Sequence, residues 1–326
     1  MMKWACHRPL ALVLGMAGLA LGAPGAEATE SGASLYLLGS GGPGTAVMPP
    51  LEGVYFDKMV WVYDGSAEAN RRIPVNGNIT LGLDTTIVAD FTTLLAVPST
   101  NFLGGTLAVG LTMPLGAPII DAEGLLTGPA GGTTLTGSLH DSALTTGDPV
   151  VLTQLGWQAD KLHIQVSTMT NVPIGHYRES GLANLSLHRW AVDGSLALSW
   201  HDPESGWDLS AKAGYTANGD NRDSGYDSGD EIHIEGAIEK TLSPKFSLGV
   251  QGYYQKQVSD DRGMLGPFRG EVVAVGATAA TTVMMAGVPA TFRGRIMEEI
   301  DTTNRLEGTS FWLDFTVPIH MNMPAG

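Results

Sequence analysis

Cysteine is almost absent from this chain: Cys6 is the whole thiol inventory of 326 residues. Disulfide frameworks and thiolate zinc sites are excluded, since each needs several cysteines at set spacings. Charge is scarce as well. Asp, Glu, Lys and Arg make up 16% of the residues, against about 25% in soluble domains. Basic residues are the scarcer sign, 18 against 33 acidic. The net charge of −15 speaks against a nucleic-acid partner, because phosphate recognition needs a basic face. After the N-terminal segment no apolar run approaches the ~18 residues of a membrane helix. No G-x-S-x-G elbow occurs, and His201-Asp202 and Asp193-Gly194-Ser195 have no evident catalytic context. The chain is therefore not expected to be an enzyme, and no catalytic residue, metal ligand or cofactor is assigned.

What is present begins with an export pattern. Lys3 and Arg8 precede the apolar stretch PLALVLGMAGLALGAP, and Ala26-Glu27-Ala28 supplies a small-x-small cleavage site. Residues 1–28 are expected to be a Sec signal peptide. Gly39-Ser40-Gly41-Gly42-Pro43-Gly44 matches the dinucleotide fingerprint G-x-G-x-x-G. Pro43 inside it and Pro49-Pro50 after it leave no helix to hold a pyrophosphate, so residues 29–50 are expected to be a pliable periplasmic stretch or a lumen plug.

The remainder alternates with period two. In FSLGVQGYYQKQV (246–258) one face carries Phe246, Leu248 and Val250, and the other Gln251, Gln255 and Gln257. Strands are expected near 52–63, 78–97, 104–115, 149–158, 162–173, 189–200, 207–218, 230–240, 245–258, 269–281, 289–300 and 307–319. Most run longer than the five or six residues usual in globular sheets, and approach the ~9–11 of a tilted membrane-crossing strand. Their connections alternate between tight turns (98–102, 159–161, 201–206, 242–245) and long polar loops (116–148, 174–188, 218–230, 259–268). Strands that reverse at every connection place all tight turns at one end. That is the layout of an outer-membrane barrel, with short periplasmic turns and long external loops. Backbone groups in lipid must all be paired, so the sheet must close. The expectation is an all-β fold: a single antiparallel transmembrane β-barrel of about twelve strands over 51–319, followed by a C-terminal extension over 320–326.

Several stretches carry a family resemblance. They are DPVVLTQLGWQ, LALSWHDPESGWDLSAKAGYTAN, YDSGDEIHIEGAIEKTLSPKFSLGVQGYYQKQVSDDRG, NRLEGTSFWLDFTVPI and, near the N-terminus, GPGTAVMPPLEGVYF. The chain resembles the outer-membrane family named for the meta-pathway of phenol degradation. The resemblance implies a bacterial outer-membrane barrel associated with uptake or tolerance of aromatic and other hydrophobic compounds, and it supplies no catalytic residues.

Alternation nominates lumen-facing residues on a substrate path: His163, Gln165, Lys212, His233, Glu235, Gln251, Tyr253, Arg293 and Arg295. Charges on this face, with Glu239 and Glu299, are expected to neutralise one another. The acidic loop of Asp220, Asp223, Asp227, Asp230 and Glu231 lacks the ligand order of a calcium loop and reads as solvated. Expected partners are outer-membrane lipid, lipopolysaccharide and small hydrophobic or aromatic molecules. A channel for such molecules is favoured; a general polar porin and a non-transporting structural or binding barrel stay open.

Overall fold

Alternating side chains along this chain build strands whose two faces meet different media. The computed structural model describes residues 33–75, 78–127, 133–179, 181–262 and 269–322, with the backbone alone over 68–75, 78–81, 123–127 and 133–137. The expected signal peptide and residues 323–326 lie outside the described residues. Among the described residues there are sixteen strands: β1 Gly53–Val75, β2 Asn78–Phe102, β3 Gly105–Thr127, β4 Thr133–Ser142, β5 Thr145–Thr146, β6 Val150–Ala159, β7 Leu162–Asn171 and β8 Ala191–Asp202, then β9 Trp207–Asn218, β10 Asp220–Asn221, β11 Tyr226–Asp227, β12 Glu231–Ser243, β13 Phe246–Gln257, β14 Glu271–Met285, β15 Val288–Thr303 and β16 Glu307–Met321.

Twelve of these form one closed antiparallel barrel, in the order β1, β2, β3, β6, β7, β8, β9, β12, β13, β14, β15, β16. The last strand closes on the first, with Trp61 opposite Trp312 and Val60 opposite Leu313. Closure leaves no free edge inside the hydrocarbon, which an open sheet could not tolerate. The outward face is aliphatic: Val166, Leu196, Leu198, Ile234, Ile238, Leu248, Val250, Ile296 and Leu313 are all exposed. Val250 is 59% exposed while its neighbour Gln251 is 7% exposed. An oily residue outside and an amide inside is the arrangement a lipid solvent selects. Outward Phe56, Phe292 and Phe315 cluster near one rim, with Phe292 and Phe315 ring centroids 4.9 Å apart.

The structure corrects the expected loop at 116–148. β3 continues to Thr127, and β4 and β5 return along it. Pro114, Gly116 and Pro118 obscure the alternation there, yet Ile120 and Ala122 stay inward while Ile119 and Asp121 face out. β1 and β2 are longer than expected too, at 23 and 25 residues. A 25-residue strand is ~80 Å long, far more than a ~30 Å hydrocarbon core requires, so this side of the barrel rises as a sheet above the membrane. Pro98 lies inside β2, not in a turn. The reversal falls at Leu103-Gly104, both left-handed with φ of 51° and 76°. β16 runs two residues beyond 319, pairing His320 and Met321 with Val54 and Gly53. The connection between β15 and β16 is tight, although it lies at the external end with the long loops.

Candidate functional site in the barrel lumen

All nine nominated residues point into the barrel. They do not form one cluster. His163 and Gln165 lie toward the periplasmic end, where Gln165 Nε2 donates to the Met48 sulfur at 3.1 Å. Arg293 stands apart, pairing with Glu239 (Nη2–Oε1 3.2 Å) and donating to Thr278 Oγ1 at 2.8 Å. Lys212, His233, Glu235, Gln251, Tyr253 and Arg295 gather at mid-height around residues 36–42 of the N-terminal segment.

That segment threads the lumen. Met48 sits beside Gly156 and Gln165 near the periplasmic end, and Ala33 and Ser34 reach the external end, where Arg189 Nη2 donates to Ala33 O at 3.0 Å. A chain with no strand partner must satisfy its backbone against side chains, and the wall supplies them. Gly39 N–H donates to Glu235 Oε1 at 2.6 Å. Gly39 O accepts from Arg295 Nη1 at 2.9 Å and Gln251 Nε2 at 3.3 Å. Gly44 N–H is shared by Asp208 Oδ1 and Ser210 Oγ, both at 2.9 Å, and Ala46 N–H donates to Ser199 Oγ at 3.0 Å. Gly41 packs closely on the wall: an added Cβ would stand 2.3 Å from Glu235 Oε2, so the carboxylate would have to shift. Tyr36 anchors the segment, stacked on His233 with centroids 3.6 Å apart and 10° between planes. Lys212 Nζ lies 4.6 Å from the Tyr36 ring centroid, so the phenol ring meets both an imidazole and an ammonium.

His233 also meets Asp193 and Ser195, a combination that invites comparison with a hydrolase triad. The geometry does not make one. His233 Nε2 is 3.0 Å from Asp193 Oδ2 and 3.5 Å from Ser195 Oγ, while Ser195 gives its proton to Asp193 Oδ1 at 2.6 Å. In a triad the acid holds one imidazole nitrogen and the serine the other. Here one nitrogen meets both, beneath the Tyr36 ring. The set is a polar brace. Asp193, Ser195, Ser199, Asp208 and Ser210 were not nominated from sequence. The signal was available: Asp193, Ser195 and Ser199 alternate with Val192, Leu196, Leu198 and Trp200 along β8. Two inward arginines are paired with carboxylates: Arg295 with Asp314 and Arg293 with Glu239.

Beside the segment lies a cavity of about 180 Å³. Its walls combine apolar side chains, among them Leu37 and Leu38 of the segment, Trp61 and Phe91 of the barrel and Leu187, with polar ones, among them Asp148, Asn171, Asn184 and Arg305. At one end Tyr63 and Tyr253 donate their hydroxyls to Glu299 at 2.8 and 3.1 Å, and Gly308 N–H adds a third bond at 2.9 Å.

The loop 172–190 roofs this end of the barrel. Asp148 accepts from Asn171 Nδ2, Gly175 N, Ser186 Oγ and His188 N at 2.7–2.9 Å. The acidic loop is engaged rather than simply solvated. Asp223 meets His188 at 2.8 Å, Asp230 accepts from Tyr215 and Asn218 N, and Glu231 accepts from Ser34. Next to it, Asp261 accepts from Tyr226, Gln257 and Gly229 N, yet burial pushes its carboxyl up to about 6.

A closed twelve-stranded barrel with an aliphatic exterior and a polar, threaded interior defines the class: a transmembrane β-barrel of the bacterial outer-membrane type. Within that class the chain belongs to the family described as "Putative MetA-pathway of phenol degradation", whose model matches residues 69–315. The fold is similar to that of an outer membrane channel from Pseudomonas putida F1, at 17% identity and a TM-score of 0.66, covering 84% of this chain and 98% of that one. A FadL homologue from Pseudomonas aeruginosa matches at 10% identity and a TM-score of 0.42, covering 91% and 100%. No curated protein matches.

Proposed function

We propose that this protein is an outer-membrane channel for small hydrophobic or aromatic compounds, exported through a signal peptide over 1–28, and that its N-terminal segment acts as the lumen plug. The observation that carries the reading is the interior. The polar side chains that meet the segment hold its backbone, and beside it lies a cavity whose wall includes Leu37, Leu38, Trp61 and Phe91. A polar porin needs unspent polar groups lining a continuous water column. A guided apolar route needs a dry-walled station. Apolar solutes gain from such a route because lipopolysaccharide, the partner proposed around the external rim, obstructs them more than hydrocarbon does. His163, Gln165, Lys212, His233, Glu235, Gln251, Tyr253, Arg293 and Arg295 act in this account on the passage, chiefly by holding or releasing the segment. The test compares a deletion strain with the wild type for uptake of a labelled aromatic compound, alongside conductance of the purified barrel in a planar bilayer. Lost uptake with low ionic conductance supports the channel. Large steady conductance with unchanged uptake indicates a polar porin, and no effect in either assay indicates a structural barrel.

A further inference from the structure

One loop both lines the cavity and faces the outside. Loop 172–190 joins β7 to β8 over the external end of the barrel and is irregular throughout its described residues. Its Leu185 and Leu187 lie on the cavity wall, while Ile174 and His176 are exposed. Backbone outside a ladder must find other partners, and two carboxylates supply them here. Asp141 accepts from Arg178 Nη2, Leu182 N–H and Ala183 N–H at 2.7–2.9 Å. Leu182 and Ala183 are also buried against Ala67, Leu83, Ile120 and Ala122, so this end of the loop is seated in an apolar cluster. Asp148 accepts from Gly175 N–H, Ser186 Oγ and His188 N–H at 2.7–2.9 Å. This second carboxylate is itself on the cavity wall, and Ser186 and His188 alternate with Leu185 and Leu187. The two holds differ in kind. Apolar burial at Leu182 and Ala183 is lost when they move, whereas a hydrogen bond to Asp148 is exchanged for one to water and has a small net worth. The loop is fixed at one point and fastened at the other, and the fastening stands where the cavity meets the loop.

Building on the apolar-route reading, we propose that residues 184–188 are the external lid of the cavity, with Leu182-Ala183 as its fixed end and Asp148 as its latch. The solute enters when the bonds to Asp148 open and Leu185 and Leu187 lift away. Lids over binding sites are drawn from the weakly held parts of a fold.

The first arm of the test asks whether the latch controls access to the cavity, whatever passes through it. Ile87→Cys puts a thiol on the cavity wall, and the chain's own Cys6 lies in the expected signal peptide. Methyl methanethiosulfonate, small and neutral, is added to the purified, folded barrel, and modification is followed by mass. Asp148→Asn replaces charge-assisted bonds by neutral ones, so with it the Ile87→Cys thiol should react about tenfold faster. A Gln165→Cys thiol, toward the periplasmic end, should react at the same rate with either residue at 148. Equal rates at Ile87→Cys with and without the latch overturn the lid. The second arm replaces the latch by a covalent one. Ser186 Oγ and Asp148 Oδ1 are 2.7 Å apart, and the paired variant Asp148→Cys/Ser186→Cys is open when reduced and fastened when oxidised. Cells carrying the oxidised pair should take up labelled toluene at the rate of the deletion strain, and reduction should restore at least the wild-type rate. Wild-type uptake with the pair oxidised overturns the lid and leaves the apolar route standing. Absence of toluene uptake by the wild type overturns the apolar route, and the thiol rates still decide the lid. Variants that shift mobility on heating are folded barrels, so a changed rate in them is not a folding failure.

Discussion

Replacing Tyr36 by Ala should release the segment from the lumen. The Tyr36 ring is 1% exposed, stacked at 3.6 Å on His233 and set 4.6 Å from Lys212 Nζ. Truncating a buried aromatic costs about 3–5 kcal/mol, which includes its aromatic stack of ~0.5–1.5 kcal/mol and its cation–π contact of ~0.5–2 kcal/mol. The barrel wall is closed by its own ladders and does not need Tyr36, so the loss falls on docking of the segment. At about 1.4 kcal/mol per decade, the undocked fraction should rise by about two to three and a half orders of magnitude. Two readouts follow it. Amide exchange at Gly39 and Gly44, whose N–H groups are bonded to wall carboxylates, should accelerate by that factor. Single-channel recordings should show open events that are rare in the wild type. Tyr36→Phe keeps the ring with its stack on His233 and its contact with Lys212, so it should resemble the wild type far more than Tyr36→Ala does. If Tyr36→Ala exchanges and conducts like the wild type, the ring is not the anchor and the docking argument fails.

The remaining predictions test other levels of the account. Val250→Arg puts a charge on the lipid face and should destabilise the folded barrel by about 2–4 kcal/mol in a refolding titration if it sits near mid-bilayer; a neutral result would place Val250 outside the hydrocarbon. Arg295→Met strands a buried Asp314 and should cost about 3–5 kcal/mol of stability, while adding Asp314→Leu should restore most of it; additive losses in the double variant would refute the pairing. Asp261 has a folded-state carboxyl raised to about 6. The packing of its loop should therefore be firmest below pH ~4 and loosen as pH rises through about 6, read by exchange at Gly229 N–H. Asp261→Asn should remove that dependence, and a loop that tightens with rising pH would contradict the sign. Gly41→Ala should crowd Glu235 and raise exchange at Gly39; unchanged exchange would show that Glu235 moves aside freely.

Fold class was legible in the sequence wherever alternation is clean. β7, β8, β12 and β13 lie within a few residues of their expected positions because Leu, Ile and Val alternate there with amides and hydroxyls. β3 is expected to end at 115, with Gly116 and Pro118 in a loop; both lie instead within the strand, which continues to Thr127. The turn expected at Pro98 falls at Leu103-Gly104, since proline is tolerated in a strand where its missing donor is not needed. Inward orientation of the nine lumen residues followed from parity. Their grouping did not, because parity fixes a face and says nothing about height. The polar face of β8 was the readable clue that went unused. What threads the lumen could not be read from periodicity at all: residues 33–48 have no period, and their placement depends on wall side chains from six strands.

The central claim, that apolar solutes pass beside the segment through the cavity, is tested most directly by filling it. Ile87 lines the cavity, and Ile87→Trp would occupy much of its volume while leaving the wall ladders intact. Uptake of a labelled single-ring aromatic is measured in cells expressing wild type, Ile87→Trp or no protein, with folded barrel quantified by heat-dependent gel mobility. The account predicts that Ile87→Trp reaches wild-type levels in the membrane and takes up the compound at the rate of the deletion strain. Wild-type uptake by the filled barrel would contradict it.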